Sequence, residues 1–176
     1  LPTSPTNVQT ASFSFVSSEA GSTFQCRLDK PSGNGSYTAC TSPKNYTASD
    51  LNANGSYTFR VRAIDPASNV DATPASYTWT VDTVKPIASM SAPNPNATVS
   101  GANVTVSATA TDAGSGIDRV QFHLDCPGTS CGNLASDNTA SGTTYTISWD
   151  TTTLANGSHT LSATAYDRAG NATTTS

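Results

Sequence analysis

Residues 53–69 read Ala-Asn-Gly-Ser-Tyr-Thr-Phe-Arg-Val-Arg-Ala-Ile-Asp-Pro-Ala-Ser-Asn, and residues 155–171 read Ala-Asn-Gly-Ser-His-Thr-Leu-Ser-Ala-Thr-Ala-Tyr-Asp-Arg-Ala-Gly-Asn. Aligned without a gap, the two stretches are identical at 9 of 17 positions and begin 102 residues apart. In each copy, Asn-Gly is typical of a tight turn that needs positive φ. The run that follows alternates in side-chain character, which indicates a strand. A period near this length predicts two successive sandwich-sized modules.

The alternation also predicts which side chains face the core. The inward positions of the two repeated strands are Phe59, Val61 and Ala63 in the first copy, and Leu161, Ala163 and Ala165 in the second. A later strand of the first module, Ala75–Val81, places Tyr77, Trp79 and Val81 on one face. The fold class expected from these patterns is all-β.

Composition excludes several classes of partner. The chain has 176 residues, a formal net charge of −4 and an isoelectric point near 4.8. No basic patch is present that could neutralise phosphates, so nucleic acid and anionic membrane surfaces are not expected as partners. The apolar runs are far too short for a membrane span, so membrane insertion is not expected either.

The repeat divides the chain into residues 1–82, a short linker at residues 83–86 that Pro86 stiffens, and residues 87–176. The first module lacks a convincing opening strand, because Leu1–Gln9 shows no alternation and resembles a lead-in. The second reaches Ala172–Ser176 where a closing strand should begin, so that strand is expected to be truncated. Either the chain is a piece of a longer one, or another copy donates the missing strand. A clean monomer in size-exclusion chromatography at high concentration would contradict strand donation.

The four cysteines fall as one pair in each module, Cys26 with Cys40 and Cys126 with Cys131. The module boundary favours these two pairings over the other combinations. Zinc is the rival interpretation, but it needs clustered Cys and His, and the Cys-x4-Cys of the second module has no companion pair of ligands in that module. Two intradomain disulfides are therefore expected, and they imply an oxidising compartment outside the cytoplasm.

Both modules resemble the bacterial immunoglobulin-like (Ig-like) domains that are strung together in large secreted and surface proteins. In the first module the resemblance rests on Phe24–Asp29, Cys40–Pro43, residues 54–65 and Pro74–Thr83. In the second it rests on Val120–Asp125, Ser148–Leu161 and Ala165–Asn171. It implies two Ig-like β-sandwiches in tandem, although the segment from Cys126 to Cys131 departs from the second pattern. Domains of this kind serve as spacers, stalks, adhesin segments or accessory modules beside catalytic domains, and fold alone does not choose among these.

The residues themselves point away from catalysis. His123 and His159 lie in strand patterns, outside any recognisable triad, and are expected on solvated outer faces. Arg60 and Arg62 on an outer face can either grip an acidic ligand or solubilise the strand by pairing with a nearby Asp. We therefore expect no catalytic residues and no cofactor.

Two further kinds of site are compatible with the sequence. Calcium prefers hard oxygen ligands from turns, and the candidates are Asp65, Asp82, Asp112 and Asp167. The rival interpretation is that Asp65 and Asp167, each four residues before an Asn, hydrogen-bond to their own turn backbone. N-glycosylation sequons occur at Asn34, Asn45, Asn54, Asn96, Asn103, Asn156 and Asn171.

The sequence thus predicts a non-catalytic structural module at the cell surface or outside the cell. Such a module would serve as a spacer or stalk, or as the repeating unit of a filament that assembles by strand complementation. Its expected partners are neighbouring Ig-like modules or copies of itself. The alternatives are an adhesin-type module that binds a surface glycan or receptor, and an accessory module of a secreted enzyme.

Overall fold

The structure is a computed structural model that describes residues 1–125 and 132–176. The chain divides into two compact units, Leu1–Thr83 and Val84–Ser176. Every regular element in the described residues is a β-strand, which confirms the all-β class. Among the same residues there is no helix that is long and apolar enough to cross a membrane.

The first unit contains six strands. They are β1 (Ala11–Phe13), β2 (Thr23–Asp29), β3 (Thr38–Cys40), β4 (Lys44–Tyr46), β5 (Gly55–Ile64) and β6 (Ala75–Val81). One sheet has the order β3-β2-β5-β6, and β1 pairs with β4 in the other. The period-2 pattern of β5 and β6 sends Tyr57, Phe59, Val61, Trp79 and Val81 into a buried core.

The lead-in of the first unit is more structured than the sequence predicts. Thr6 forms a parallel bridge with Val81, and two backbone hydrogen bonds hold it: Thr6 N donates to Thr80 O at 3.0 Å and Asp82 N donates to Thr6 O at 2.9 Å. The Tyr77 hydroxyl also donates to Pro2 O at 2.7 Å. These bonds correct the expectation of an unstructured lead-in, because the segment runs along the edge of β6 and supplies a one-residue opening element.

The second unit contains seven strands within the described residues. They are β7 (Ile87–Ala92), β8 (Val104–Thr111), β9 (Ile117–Leu124), β10 (Gly132–Asp137), β11 (Thr144–Trp149), β12 (Leu161–Asp167) and β13 (Ala172–Thr175). They form two sheets with the orders β10-β9-β12-β13 and β11-β8-β7. Val106, Val120, Phe122, Ala163 and Ala165 are fully buried in the core of this unit.

A closing strand is present in the second unit. Residues Ala172–Thr175 form β13, which pairs antiparallel with Ala163–Tyr166 of β12. The expected truncation is thereby corrected in part: the strand exists, with four residues, and it lies beside β12. Its sequence is Ala-Thr-Thr-Thr, which shows no apolar alternation.

The predicted disulfide of the first unit is confirmed. Cys26 and Cys40 are bonded, and their Cα atoms are 5.8 Å apart on the neighbouring strands β2 and β3. Cys26 is buried in the core. The predicted pair Cys126 and Cys131 lies outside the described residues.

Candidate functional site

Tyr57 holds the Asn-Gly turn at the start of β5 in the first unit. Its hydroxyl donates to Ala53 O at 2.8 Å and accepts from Ala53 N at 3.0 Å, while the ring is fully buried. A tyrosine that bonds back to the backbone a few residues upstream is the corner typical of Ig-like sandwiches. The hydrogen bonds therefore fix the entry of β5 into the sheet.

In the second unit a histidine takes the place of this tyrosine. His159 aligns with Tyr57 in the repeat, and its Nε2 lies 3.1 Å from Ala155 O, the counterpart of Ala53 O. Its Nδ1 lies 2.6 Å from Asp125 Oδ2. Both partners are acceptors, so both ring nitrogens must carry a proton to make both bonds. The Asp125 carboxylate, followed by the carbonyl of Ala155, accordingly raises the pKa of His159.

His159 was expected on a strand in solvent, and that expectation is wrong in placement, since the residue precedes β12 and forms a corner. The ungapped alignment of the two repeats pairs His159 with Tyr57, and this pairing is the sequence signal for the corner position of His159.

His123 is also misplaced by the sequence pattern. It points away from the core as predicted, but only 8 % of the residue is exposed, and its Nε2 lies 3.2 Å from Thr164 Oγ1. Burial lowers its pKa. The residue is therefore a buried, neutral side chain between β10 and β12, which both pair with its strand.

Two of the calcium candidates lie in matching turns. Asp65 accepts from Asn69 N at 2.8 Å and Asn69 Nδ2 at 2.7 Å, and Asp167 accepts from the same two atoms of Asn171 at the same distances. This confirms the predicted turn role of both aspartates. Asp82 follows β6 in the first unit and is buried.

The second unit brings two of the predicted aspartates together. Asp112 and Asp167 offer carboxylate oxygens within 4.8 Å of one another. Asp112 Oδ2 accepts from Gly114 N at 3.0 Å and Gly116 N at 2.8 Å, whereas its Oδ1 is buried and has no hydrogen-bond partner among the described residues. Two close carboxylates repel each other, and a cation between them relieves this repulsion, so the pair can hold a hard cation such as Ca²⁺.

We expect calcium to raise the melting temperature of the second unit and a chelator to lower it, because the cation would neutralise this pair. At a hundredfold excess of calcium over its Kd, the gain in the free energy of unfolding is about 2.7 kcal/mol. The fluorescence of Trp149, the tryptophan of this unit, reports the transition in a Trp79→Phe background, which removes the signal of the first unit. Asp112→Asn should abolish the effect of calcium, and Asp65→Asn, in the matching turn of the first unit, should keep it. A melting temperature that is the same in calcium and in chelator would discard the metal site.

A second cluster of charges lies on the outer face of the first unit. Arg27 and Arg60 stand directly opposite each other on β2 and β5, and both reach Asp29. Arg27 Nη2 lies 2.8 Å and Arg60 Nε 3.1 Å from Asp29 Oδ2. The Arg27 guanidinium, and after it Arg60, lowers the pKa of Asp29. The shared carboxylate thus offsets the repulsion of two like charges in one cross-strand pair.

Arg62 differs from Arg60. The sequence allowed pairing with a nearby Asp for both, and Arg60 does so, but Arg62 donates through Nε and Nη2 to Gln25 Oε1, at 3.0 and 2.7 Å. A neutral amide therefore orients Arg62, and its charge contacts no carboxylate within the described ranges.

Six of the seven sequon asparagines are exposed, and Asn171 is buried. The Asn171 Nδ2 donates to Asp167 Oδ2, so the amide of this sequon is not accessible for glycosylation in the folded unit.

Residues 86–163 match the family model described as bacterial Ig domain. This match covers most of the second unit and confirms the Ig-like resemblance there. A comparison with curated proteins finds no significant match.

Proposed function

Because the second unit is a bacterial Ig domain, we propose that the chain is a tandem Ig-like spacer in an extracellular or cell-surface protein. Domains of this family are generally non-catalytic modules of surface proteins. The disulfide between Cys26 and Cys40 supports a location in an oxidising compartment.

The observation that carries the proposal is the parallel bridge between Thr6 and Val81. In a parallel pair the residues before Thr6 and the residues after Val81 leave in opposite directions. A pulling force on the two ends of this unit then acts along the strand axes, perpendicular to the hydrogen bonds of the bridge. It loads these bonds together, in shear. This arrangement suits a module that transmits tension between its neighbours, because bonds loaded one at a time would instead open in sequence.

Strand donation between copies is less well supported. It requires open edges where the sequence led us to expect missing strands. At those two positions the chain supplies its own partners, because Thr6 lies along β6 and β13 pairs with β12. A spacer therefore accounts for the two units better than a filament completed by exchanged strands.

Single-molecule force spectroscopy on the 176-residue chain, tethered through its ends, tests the proposal. Thr6→Pro removes the donor that bonds to Thr80 O and is expected to lower the unfolding force of the first unit clearly. Its equilibrium stability should also fall, by about 1–3 kcal/mol, because the substitution removes both the bond from Thr6 N and the Thr6 Oγ1 that accepts from Val8 N, at about 0.5–1.5 kcal/mol each.

Thr3→Pro, at an exposed position that precedes the bridge, is the matched control and should leave the unfolding force unchanged. If Thr6→Pro unfolds at the force of the parent chain, the bridge carries no load and the spacer proposal loses its main support.

A further inference from the structure

We propose that the outer face of the four-stranded sheet in the first unit binds an acidic polysaccharide by contacting the carboxylates of the sugar. We call this surface the arginine face, and it consists of Gln25, Arg27, Asp29, Tyr37, Thr58, Arg60, Arg62, Ser76 and Thr78. The inference is independent of the spacer function, because it rests on side chains that the Thr6 bridge does not use.

The arginine face is positively charged. The arginine face carries three guanidinium groups and one carboxylate, a formal surplus of two positive charges in a chain whose net charge is −4. Asp29 is already committed to two of the arginines and also accepts from Gly35 N at 3.1 Å. Arg27, Arg60 and Asp29 together therefore keep one positive charge, and Arg62, whose polar partner is the neutral Gln25, keeps the other. An anionic ligand would neutralise both.

The guanidinium groups of the arginine face are held in place before any ligand binds. The Arg62 guanidinium lies 4.0 Å from the centre of the Tyr37 ring, and that of Arg27 lies 5.4 Å from the same centre. Stacking on the ring and the bonds to Gln25 hold Arg62 in one orientation before any ligand arrives. The side chain of Arg60 is 37 % exposed and uses only Nε toward Asp29 in these contacts. Gln25 and Asp29 leave the terminal Nη1/Nη2 edges of Arg62 and Arg60 with further N–H donors, and such planar, fixed edges suit carboxylates.

Hydroxyl groups lie beside the arginines on this face. Ser76 lies directly opposite Arg60 on the next strand, β6, and Thr58 lies opposite Thr78, with their hydroxyls 2.9 Å apart. Ser76 and Thr78 are exposed. A row of hydroxyls beside fixed guanidinium groups provides neutral hydrogen-bond partners next to anion partners. A polymer of sugar acids displays the same combination of hydroxyls and carboxylates, whereas a nucleic acid needs a wider basic surface than this acidic chain offers.

The experiment is a binding titration of the full chain with polygalacturonate oligomers by calorimetry, in low salt. Arg60→Gln and Arg62→Gln are each expected to weaken binding about tenfold or more, which corresponds to the loss of one charge-assisted hydrogen-bonding group. Arg62→Lys keeps the charge but not the fork and should bind with intermediate affinity.

Arg119→Gln is the matched control and should bind as the parent chain does. Arg119 likewise lies over a tyrosine, 4.1 Å from the centre of the Tyr166 ring, but it is in the second unit and has its own carboxylate, Asp118, at 2.7 Å.

Three outcomes would overturn the inference: equal binding of methyl-esterified oligomers, unchanged binding by both glutamine variants, or no binding at millimolar oligomer. Binding to inorganic polyphosphate without binding to polygalacturonate would also contradict it, since it would replace carboxylate recognition by phosphate recognition.

Discussion

Replacement of Trp79 by alanine is expected to lower the free energy of unfolding of the first unit by about 3–5 kcal/mol, the usual range for a buried aromatic truncated to alanine. Trp79 is 1 % exposed, and its ring lies 5.4 Å from that of Phe13 and 5.6 Å from that of Tyr57, measured between centroids. The change would leave a cavity between the two sheets of this unit. Since domains are stable by only about 5–15 kcal/mol, much of the margin would be lost.

Denaturant unfolding followed by circular dichroism measures this effect, and Trp79→Phe is the informative control. The indole Nε1 is buried and has no hydrogen-bond partner among the described residues, so phenylalanine removes an unsatisfied donor while keeping an aromatic ring. The phenylalanine variant should therefore lose clearly less stability than the alanine variant. Equal losses in the two variants would show that ring packing is not what Trp79 contributes.

Removal of the disulfide in the first unit, by Cys26→Ala together with Cys40→Ala, is expected to lower its free energy of unfolding by about 3 kcal/mol. The bond joins positions 14 apart in sequence, and the chain-entropy model gives this value for a closed loop of that size. Cys26 is 2 % exposed, so the lost sulfur adds a packing deficit to the entropic term.

The fluorescence of Trp79 follows the unfolding of this double variant, because Trp79 lies in the same core as Cys26. The transition of the second unit, read through Trp149 in a Trp79→Phe background, is the internal control and should stay in place. A double variant as stable as the parent would mean that the unfolded first unit is already restricted without the bond.

The sequence predicted those parts of the fold in which one face of a strand meets the core. Tyr57, Phe59 and Trp79 alternate with polar residues and are buried as expected. Thr6 shows no such signal, because a one-residue bridge has no period to detect, and Pro2 and Pro5 precede it in a segment without alternation. The strand β13 was not predicted for a related reason: its threonines make both faces polar, so it shows no apolar alternation.

The site residues show where this reasoning ends. Alternation placed His123 on the outer face correctly but could not show that the neighbouring strands bury it there. Asp112 and Asp167 lie 55 positions apart, and only the sheet order brings their turns together. The face of a strand on which a side chain lies is set by local sequence. The burial of that side chain, and the distance between two turns, depend on which strands become neighbours in the sheet.

The cross-link between β2 and β3 also sets how far the first unit can lengthen. An extended chain spans roughly 3.3–3.6 Å per residue, so the 14 intervals between Cys26 and Cys40 would contribute about 48 Å. The disulfide replaces them by a Cα–Cα separation of 5.8 Å. When tension unfolds the unit, roughly 40 Å of contour stays out of reach. The disulfide therefore limits the length that the unfolded first unit can attain under tension, in addition to stabilising its folded state.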